Sequence, residues 1–166
     1  MIFAHDTEVA LASAAALVNT GRDGKELLPD AASLDRFVKD WGWTGGRTHD
    51  QAELDAVRRL RPRLELLWDL DEDAAAGLVN TLLREASALP QLVKHDQWDY
   101  HLHATPPDAP LADRMAVEAA MNSSRAAASG SSSSPPRPVL TSATALASAT
   151  SVSWAKSTLT PFGRPG

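Results

Sequence analysis

Apolar residues recur every three or four positions through most of the first 90 residues, and this period constrains the fold more than any other feature. The clearest run lies between Asp50 and Trp68, where Leu54, Val57, Leu60 and Leu64 fall on one face of a helix. A face of this kind has to be covered by other helices. The pattern therefore predicts a helical domain with a shared core.

The same period predicts four more helices, with Ser, Asp, Gly or Pro near their ends. They span residues 6–20, 31–41, 72–88 and 111–121. Pro62 lies inside the long central helix and predicts a kink or a break near Arg61, because proline removes one backbone hydrogen bond. In the last helix we expect Asp113, Arg114 and Glu118 to be exposed.

Residues 90–105, PQLVKHDQWDYHLHAT, follow a different period. They predict strands over 91–94 and 98–105, joined by a turn at 95–97. The fold class expected from the whole pattern is α+β and predominantly helical, with about five helices and one short β-hairpin.

Beyond Met121 the apolar period stops. Ser, Ala, Pro and Thr dominate residues 122–166, a composition typical of a disordered low-complexity segment. We therefore expect residues 1–121 to fold and residues 122–166 to form a disordered tail.

The composition excludes several classes of protein. The 166 residues carry a net charge of −5, which argues against a nucleic-acid groove spread over the whole chain. There is no Cys, so disulfides and thiolate metal sites are excluded. No apolar run is long enough to span a membrane, and the N-terminus lacks the basic residues of a signal peptide, so we expect a cytoplasmic protein.

The predicted hairpin holds three of the five His residues. Asp99, His101 and His103 alternate along one strand and would project from the same face, so a shared metal ion is possible. However, the spacing H-x5-H-x-H matches no standard ligand pattern, and His95 is the one further imidazole nearby. A polar sheet face that hydrogen-bonds to neighbouring helices is the preferred interpretation, with no metal bound.

No enzyme motif accompanies these residues. The chain has no G-x-S-x-G nucleophile elbow and no phosphate-binding loop, and its acidic residues are better placed as helix caps than as an acid and base pair. We expect a protein that is not an enzyme and has no catalytic residue.

Four Arg residues close together form the one basic patch of the sequence. Their spacing indicates an exposed helix face paired with acidic residues of the same helix, rather than a phosphate-binding surface. The basic residues are Arg58, Arg59, Arg61 and Arg63, and the acidic residues are Glu53, Asp55 and Glu65.

Three segments resemble the actinobacterial branch of the ABATE-domain family: FAHDTEVALASAAALVNT, AVRRLRPRLELLWDLDED and LVKHDQWDYHLHATPPDAPLADRMAVEAAM. The resemblance covers residues 2–121. It implies a bacterial, stress-induced transcription regulator, in which the ABATE part is a sensory or interaction domain. Relatives normally end in a CGNR zinc finger that reads DNA.

The chain departs from the family after Met121. The two Cys pairs and the basic segment of the zinc finger are missing, so no zinc is expected and DNA binding should be weak or absent. Permissible codons for LTSATALASATSVS, read in a shifted frame, can spell DLSNSTRKRYFCV, which is similar to the family. A frameshift after Met121 is therefore our hypothesis, and it requires Cys codons and CGNR in the shifted frame.

Two alternatives remain open at this point. The chain could be a small-molecule-binding or hydrolytic domain that uses a cleft beside the His residues. Its candidate ligand or interaction cluster would be Asn19, Asp99, His101, His103 and Arg114. It could also form a homodimer, or bind a protein partner, through the aromatic surface of Trp41, Trp43 and Trp98.

Overall fold

Five helices and two short strands make up the part of the chain that the structure, a computed structural model, describes. It describes residues 3–93 and 101–128, without the side chains of 3–7, 92–93, 101–103 and 125–128. The elements follow in order: α1 Phe3–Asn19, α2 Ala31–Asp40, α3 Gln51–Asp69, α4 Glu72–Glu85, β1 Gln91–Val93, β2 His101–His103 and α5 Leu111–Ala128. The predominantly helical fold class is confirmed.

Aspartate side chains begin three of the helices. Asp30, Asp50 and Asp71 each accept a hydrogen bond from a backbone N–H in the first turn of α2, α3 and α4. The Asp30 backbone N–H in turn donates to the Ser33 hydroxyl, which completes a capping box. The backbone bond from Ser33 lowers the pKa of Asp30, so this cap stays ionised to a lower pH than an ordinary Asp.

Helix α5 lies at the centre of the domain and packs against α1, α3 and α4. Its buried residues surround the helix on most sides, as expected for an element with neighbours all round. Many of them are Ala, which lets the neighbouring helices approach closely. The buried apolar residues of α5 are Leu111, Met115, Ala116, Val117, Ala119 and Ala120.

The core combines this helix with leucines from every other helix. Leu17, Leu34, Leu54, Leu64 and Leu82 are fully buried and come from α1, α2, α3 and α4. The apolar stripe of α3 lies where its spacing predicted. Burial of this shared face is the main favourable contribution to the fold.

Helix α3 runs through Pro62 without a break, so of the predicted kink or split near Arg61 the split is wrong and the kink stays a prediction. Pro62 itself is exposed. The one backbone bond that proline removes therefore leaves a carbonyl that water can reach.

Helix α5 also continues past its predicted end at Met121, as far as Ala128. Three polar side chains bond back to the helix: Asn122 to the Glu118 carbonyl, Ser123 to the Ala119 carbonyl and Ser124 to the Met121 carbonyl. Asn122 is also buried. These polar side chains are thus accommodated within the helix by bonds to its own carbonyls. The rest of the predicted tail, residues 129–166, lies outside the described residues.

The two strands pair antiparallel, with Leu92 opposite Leu102 and Gln91 opposite His103. The Leu89 N–H donates to the Ala104 carbonyl and extends the pairing by one step. The predicted turn at 95–97 and the start of the second predicted strand lie outside the described residues. The hairpin as a whole therefore stays a prediction.

Candidate functional site

A groove of about 480 Å³ opens between α3, α4 and α5. Its lining combines a small apolar floor with four charged side chains. The lining residues are Ala56, Arg59, Leu60, Arg63, Leu82, Glu85, Ala86, Ala112, Asp113 and Ala116. This volume and mixture suit a small organic ligand.

Small residues create the groove. Each of the three helices contributes Ala: Ala56 from α3, Ala86 at the end of α4, and Ala112 and Ala116 from α5. Beneath them, Leu60 and Leu82 are buried and form the floor. A larger side chain at any of these Ala positions would fill the space, so the sequence keeps the groove open.

One pair of charges in the groove is already neutralised. The Arg63 guanidinium on α3 lies 2.7 Å from the Glu85 carboxylate on α4. Both side chains are partly exposed, so the pair contributes little to stability. Its effect is to join the two walls across one end of the floor.

Asp113, in the first turn of α5, is the groove's unneutralised anion. It is half-buried, and among the described residues it accepts no hydrogen bond and makes no ion pair. Burial and then the negative charge of Glu85 raise the pKa of Asp113 above its ordinary value. A carboxylate in this environment gains stability from any cation that reaches it.

Arg59 is the groove's unneutralised cation. It is exposed on the α3 wall, one turn before Arg63, and no ion pair or side-chain hydrogen bond joins it to another described residue. The groove thus presents one free charge of each sign, one from α3 and one from α5, beside an apolar floor.

The basic patch predicted from the sequence is divided by the fold. Arg61 is buried and donates to the Glu26 carboxylate at 3.0 Å, and Arg58 donates to the Leu28 carbonyl at 2.6 Å. These two arginines fasten the segment between α1 and α2 to α3. The sequence predicted that these arginines lie on an exposed face and pair with acidic residues of α3. This holds in part for Arg58, which also contacts Asp55, and is wrong for Arg61.

Arg114, predicted to be exposed, is buried. It donates to the backbone carbonyls of Thr44 and Gly46, in the connection between α2 and α3. Burial lowers the pKa of Arg114. A Cβ at Gly45, whose φ is 98°, would collide with the guanidinium, so this turn is shaped around the arginine.

Of the cluster that the sequence proposed, Asn19 and Arg114 are the members whose side chains the structure describes. Arg114 is used by the 44–46 turn, and Asn19 is the last residue of α1, with a buried Oδ1 that has no hydrogen-bond partner. No hydrogen bond connects the two. Asp99 and the side chains of His101 and His103 lie outside the described residues, so their part of the cluster stays a prediction.

Two of the three aromatic residues predicted for an interface pack against the core of the domain instead. Trp41 and Trp43 are partly buried against the core, and the ring of Trp41 contacts Phe37 at 6.2 Å between centroids. Trp98 lies outside the described residues. The surface predicted for a homodimer is therefore not an open aromatic face at Trp41 and Trp43.

Two further findings concern the described residues alone. No group of three or more His, Cys, Asp or Glu side chains within them could hold a metal ion. No helix among them is long and apolar enough to cross a membrane.

Comparison with known proteins identifies the family. The profile of the ABATE family, described as "Putative stress-induced transcription regulator", matches residues 11–161. The chain belongs to the ABATE family. No curated protein matches the sequence. In this ABATE protein the match includes all of α2 to α5, and so every residue that lines the groove.

The groove itself could not be identified from the sequence, because its lining residues are spread over 61 positions between Ala56 and Ala116. One signal was present. Ala56, Arg59 and Arg63 follow one another at spacings of three and four residues, which places them on one face of α3.

Proposed function

We propose that residues 3–128 of this ABATE protein are the sensory domain of a transcription regulator, and that the groove between α3, α4 and α5 is its ligand site. The observation that carries the proposal is the groove: a space of about 480 Å³ with an apolar floor and two unneutralised charges. Its walls come from three helices that all pack on one another, so a ligand there would change how they pack.

The proposed role is binding without chemistry. The groove lining contains no Ser, Thr, His or Cys, so it offers none of the usual nucleophiles or neutral-pH bases apart from carboxylates. Of its two carboxylates, Glu85 is paired with Arg63 and Asp113 is not. The lining holds no nucleophile that either of them could activate. We therefore assign the groove to recognition.

DNA binding by these 166 residues is proposed to be weak or absent. The chain has no Cys for the zinc finger that its resemblance implies. Of the arginines in the predicted basic patch, Arg59 alone is without a partner among the described residues, because Arg58, Arg61 and Arg63 are held by acidic groups or carbonyls. One free cation supplies little of the phosphate contact that DNA binding requires.

A gel-shift comparison tests this assignment. The protein as it stands is compared with a version in which the residues after Met121 are read in the shifted frame, each with Zn²⁺ and promoter DNA over a range of salt. We expect a salt-sensitive shift for the restored version, with an affinity at least about tenfold higher, since basic residues release counterions from DNA.

The matched control is the restored version with its Cys residues changed to Ser, which should lose the shift. Equal, salt-sensitive affinity of the original and restored proteins would contradict the proposal that these residues lack the DNA reader. A shifted frame without Cys codons would contradict the frameshift hypothesis instead.

A further inference from the structure

The charges of the groove narrow the chemistry of its ligand. Arg63 and Glu85 neutralise each other at 2.7 Å, so neither demands a charged partner. Two charges are left over, Arg59 on the α3 wall and Asp113 on the α5 wall. A ligand that leaves either one desolvated and unpaired loses affinity, because a charge without a partner is costly away from water.

The two leftover charges differ in how much they need a partner. Arg59 is exposed, so water solvates it and an ion pair there gains little. Asp113 is half-buried, lies near the like charge of Glu85, and has no hydrogen bond among the described residues. A ligand ammonium group would therefore gain most at Asp113, and a ligand carboxylate would gain less at Arg59.

A simple cation or a simple anion fits less well. Arg59 on the α3 wall opposes an organic cation that brings no negative charge, and Asp113 on the α5 wall opposes an organic anion that brings no positive charge. Between the two ends, the floor of Leu60, Leu82 and Ala116 is apolar and suits a hydrocarbon linker.

We infer that the groove binds a small zwitterion, with an ammonium group at Asp113, a carboxylate at Arg59 and an apolar body over Leu60 and Leu82. The class includes amino acids whose two charged groups are separated by a hydrocarbon chain. This inference rests on the proposed function, since it names the ligand class of the site assigned there.

Calorimetric titration of the full chain tests the inference with a matched set of compounds. The set is 4-aminobutanoate, 6-aminohexanoate and 8-aminooctanoate, with hexylamine, hexanoate and hexanol as the versions that lack one or both charges. We expect one of the amino acids to bind at least about tenfold more tightly than hexanoate or hexanol, the difference of about 1.4 kcal/mol that a single well-placed charge pair supplies. Its margin over hexylamine, which lacks only the carboxylate for exposed Arg59, should be about threefold.

Variants locate the two ends of the ligand. Asp113→Asn should weaken amino-acid binding by about tenfold and Arg59→Gln by about threefold, in keeping with the burial of each charge. Asp40→Asn and Arg36→Gln change exposed residues of α2 outside the groove and should leave binding unchanged. Circular dichroism and urea unfolding check that each variant folds.

Binding should also fall in acid. Because the pKa of Asp113 is raised, this carboxylate loses its charge at a higher pH than an ordinary Asp, and the ammonium then loses its partner. Glu85, Arg59 and Arg63 are the other charged groups that line the groove with it. The Asp113→Asn variant should lack this acid-dependent loss.

The inference would be overturned if no amino acid in the series bound, or if hexylamine or hexanoate bound as tightly as the amino acids. Unchanged binding by Asp113→Asn would overturn it as well. The titration contains no DNA, so its failure leaves the gel-shift test of the proposed function unaffected.

Discussion

Replacing Leu64 with Ala is expected to destabilise the domain by about 3–4 kcal/mol, the cost of an unfilled cavity in a core that cannot close around it. Leu64 is fully buried on α3. With Ser13, Leu17, Phe37 and Met115, among others, it lines a narrow internal space, so its neighbours come from α1, α2 and α5. Four helices would have to move together to fill the space, and such cores relax only in part.

Urea unfolding measures this loss, and Leu66→Ala is the matched control. Leu66 lies two residues further along α3 and is 45% exposed. The same substitution there should cost less than about 1 kcal/mol. Equal midpoints for the two variants would contradict the placement of the core.

Replacing Arg114 with Met should lower the free energy of unfolding by about 2–4 kcal/mol. Two hydrogen bonds from a charged donor are lost, and this loss outweighs the gain from no longer burying a charge. The guanidinium holds the Thr44 and Gly46 carbonyls, and the Gly46 N–H donates to the Pro107 carbonyl at 2.8 Å. Arg114→Lys should recover part of the loss at most, since an ammonium group lacks the planar fork that reaches two carbonyls.

Hydrogen exchange separates this local effect from general destabilisation. The Gly46 amide should exchange faster in Arg114→Met than global unfolding alone explains, because its neighbouring carbonyl is released. Arg59→Met, which changes an exposed and unpaired arginine, is the control and should leave both stability and Gly46 exchange unchanged. An Arg114→Met protein as stable as the original would contradict the assigned role.

The helices were predictable because their apolar spacing and their aspartate caps agree. Asp30, Asp50 and Asp71 lie where helix-start rules expect them, and all three cap. The last seven residues of α5, 122–128, were missed for the opposite reason. Ser123 and Ser124 bond to the helix backbone, which composition alone does not reveal.

Arg61 and Arg114 were predicted to be exposed from their residue type, and both are buried. Arg61 is four residues after Val57 and three before Leu64, and Arg114 is three residues after Leu111 and three before Val117. Both positions lie on the core side by helical spacing. Their charge suggested exposure, but each arginine finds oxygen partners in a distant loop, and sequence spacing cannot locate such partners.

The groove was beyond sequence reasoning because it depends on how three helices cross. Ala56, Ala86 and Ala116 are unremarkable helix residues until α3, α4 and α5 bring them together. The charged residues of the groove could not be identified from the sequence either. Asp113 became a candidate only when its burial and the nearby Glu85 were known.

Amide mapping by two-dimensional NMR tests the central claim that this groove is the ligand site. The ¹⁵N-labelled chain is titrated with small amines, carboxylates and amino acids, one compound at a time. The groove assignment predicts that compounds which bind shift the amides of Ala56, Leu82 and Ala116. It also predicts that Ala56→Leu, which fills the groove, removes these shifts, whereas Ala52→Leu, one turn away on the exposed face, keeps them. Shifts confined to the shallower groove at Asn80, Leu83 and Ser87, or shifts that survive Ala56→Leu, would contradict it.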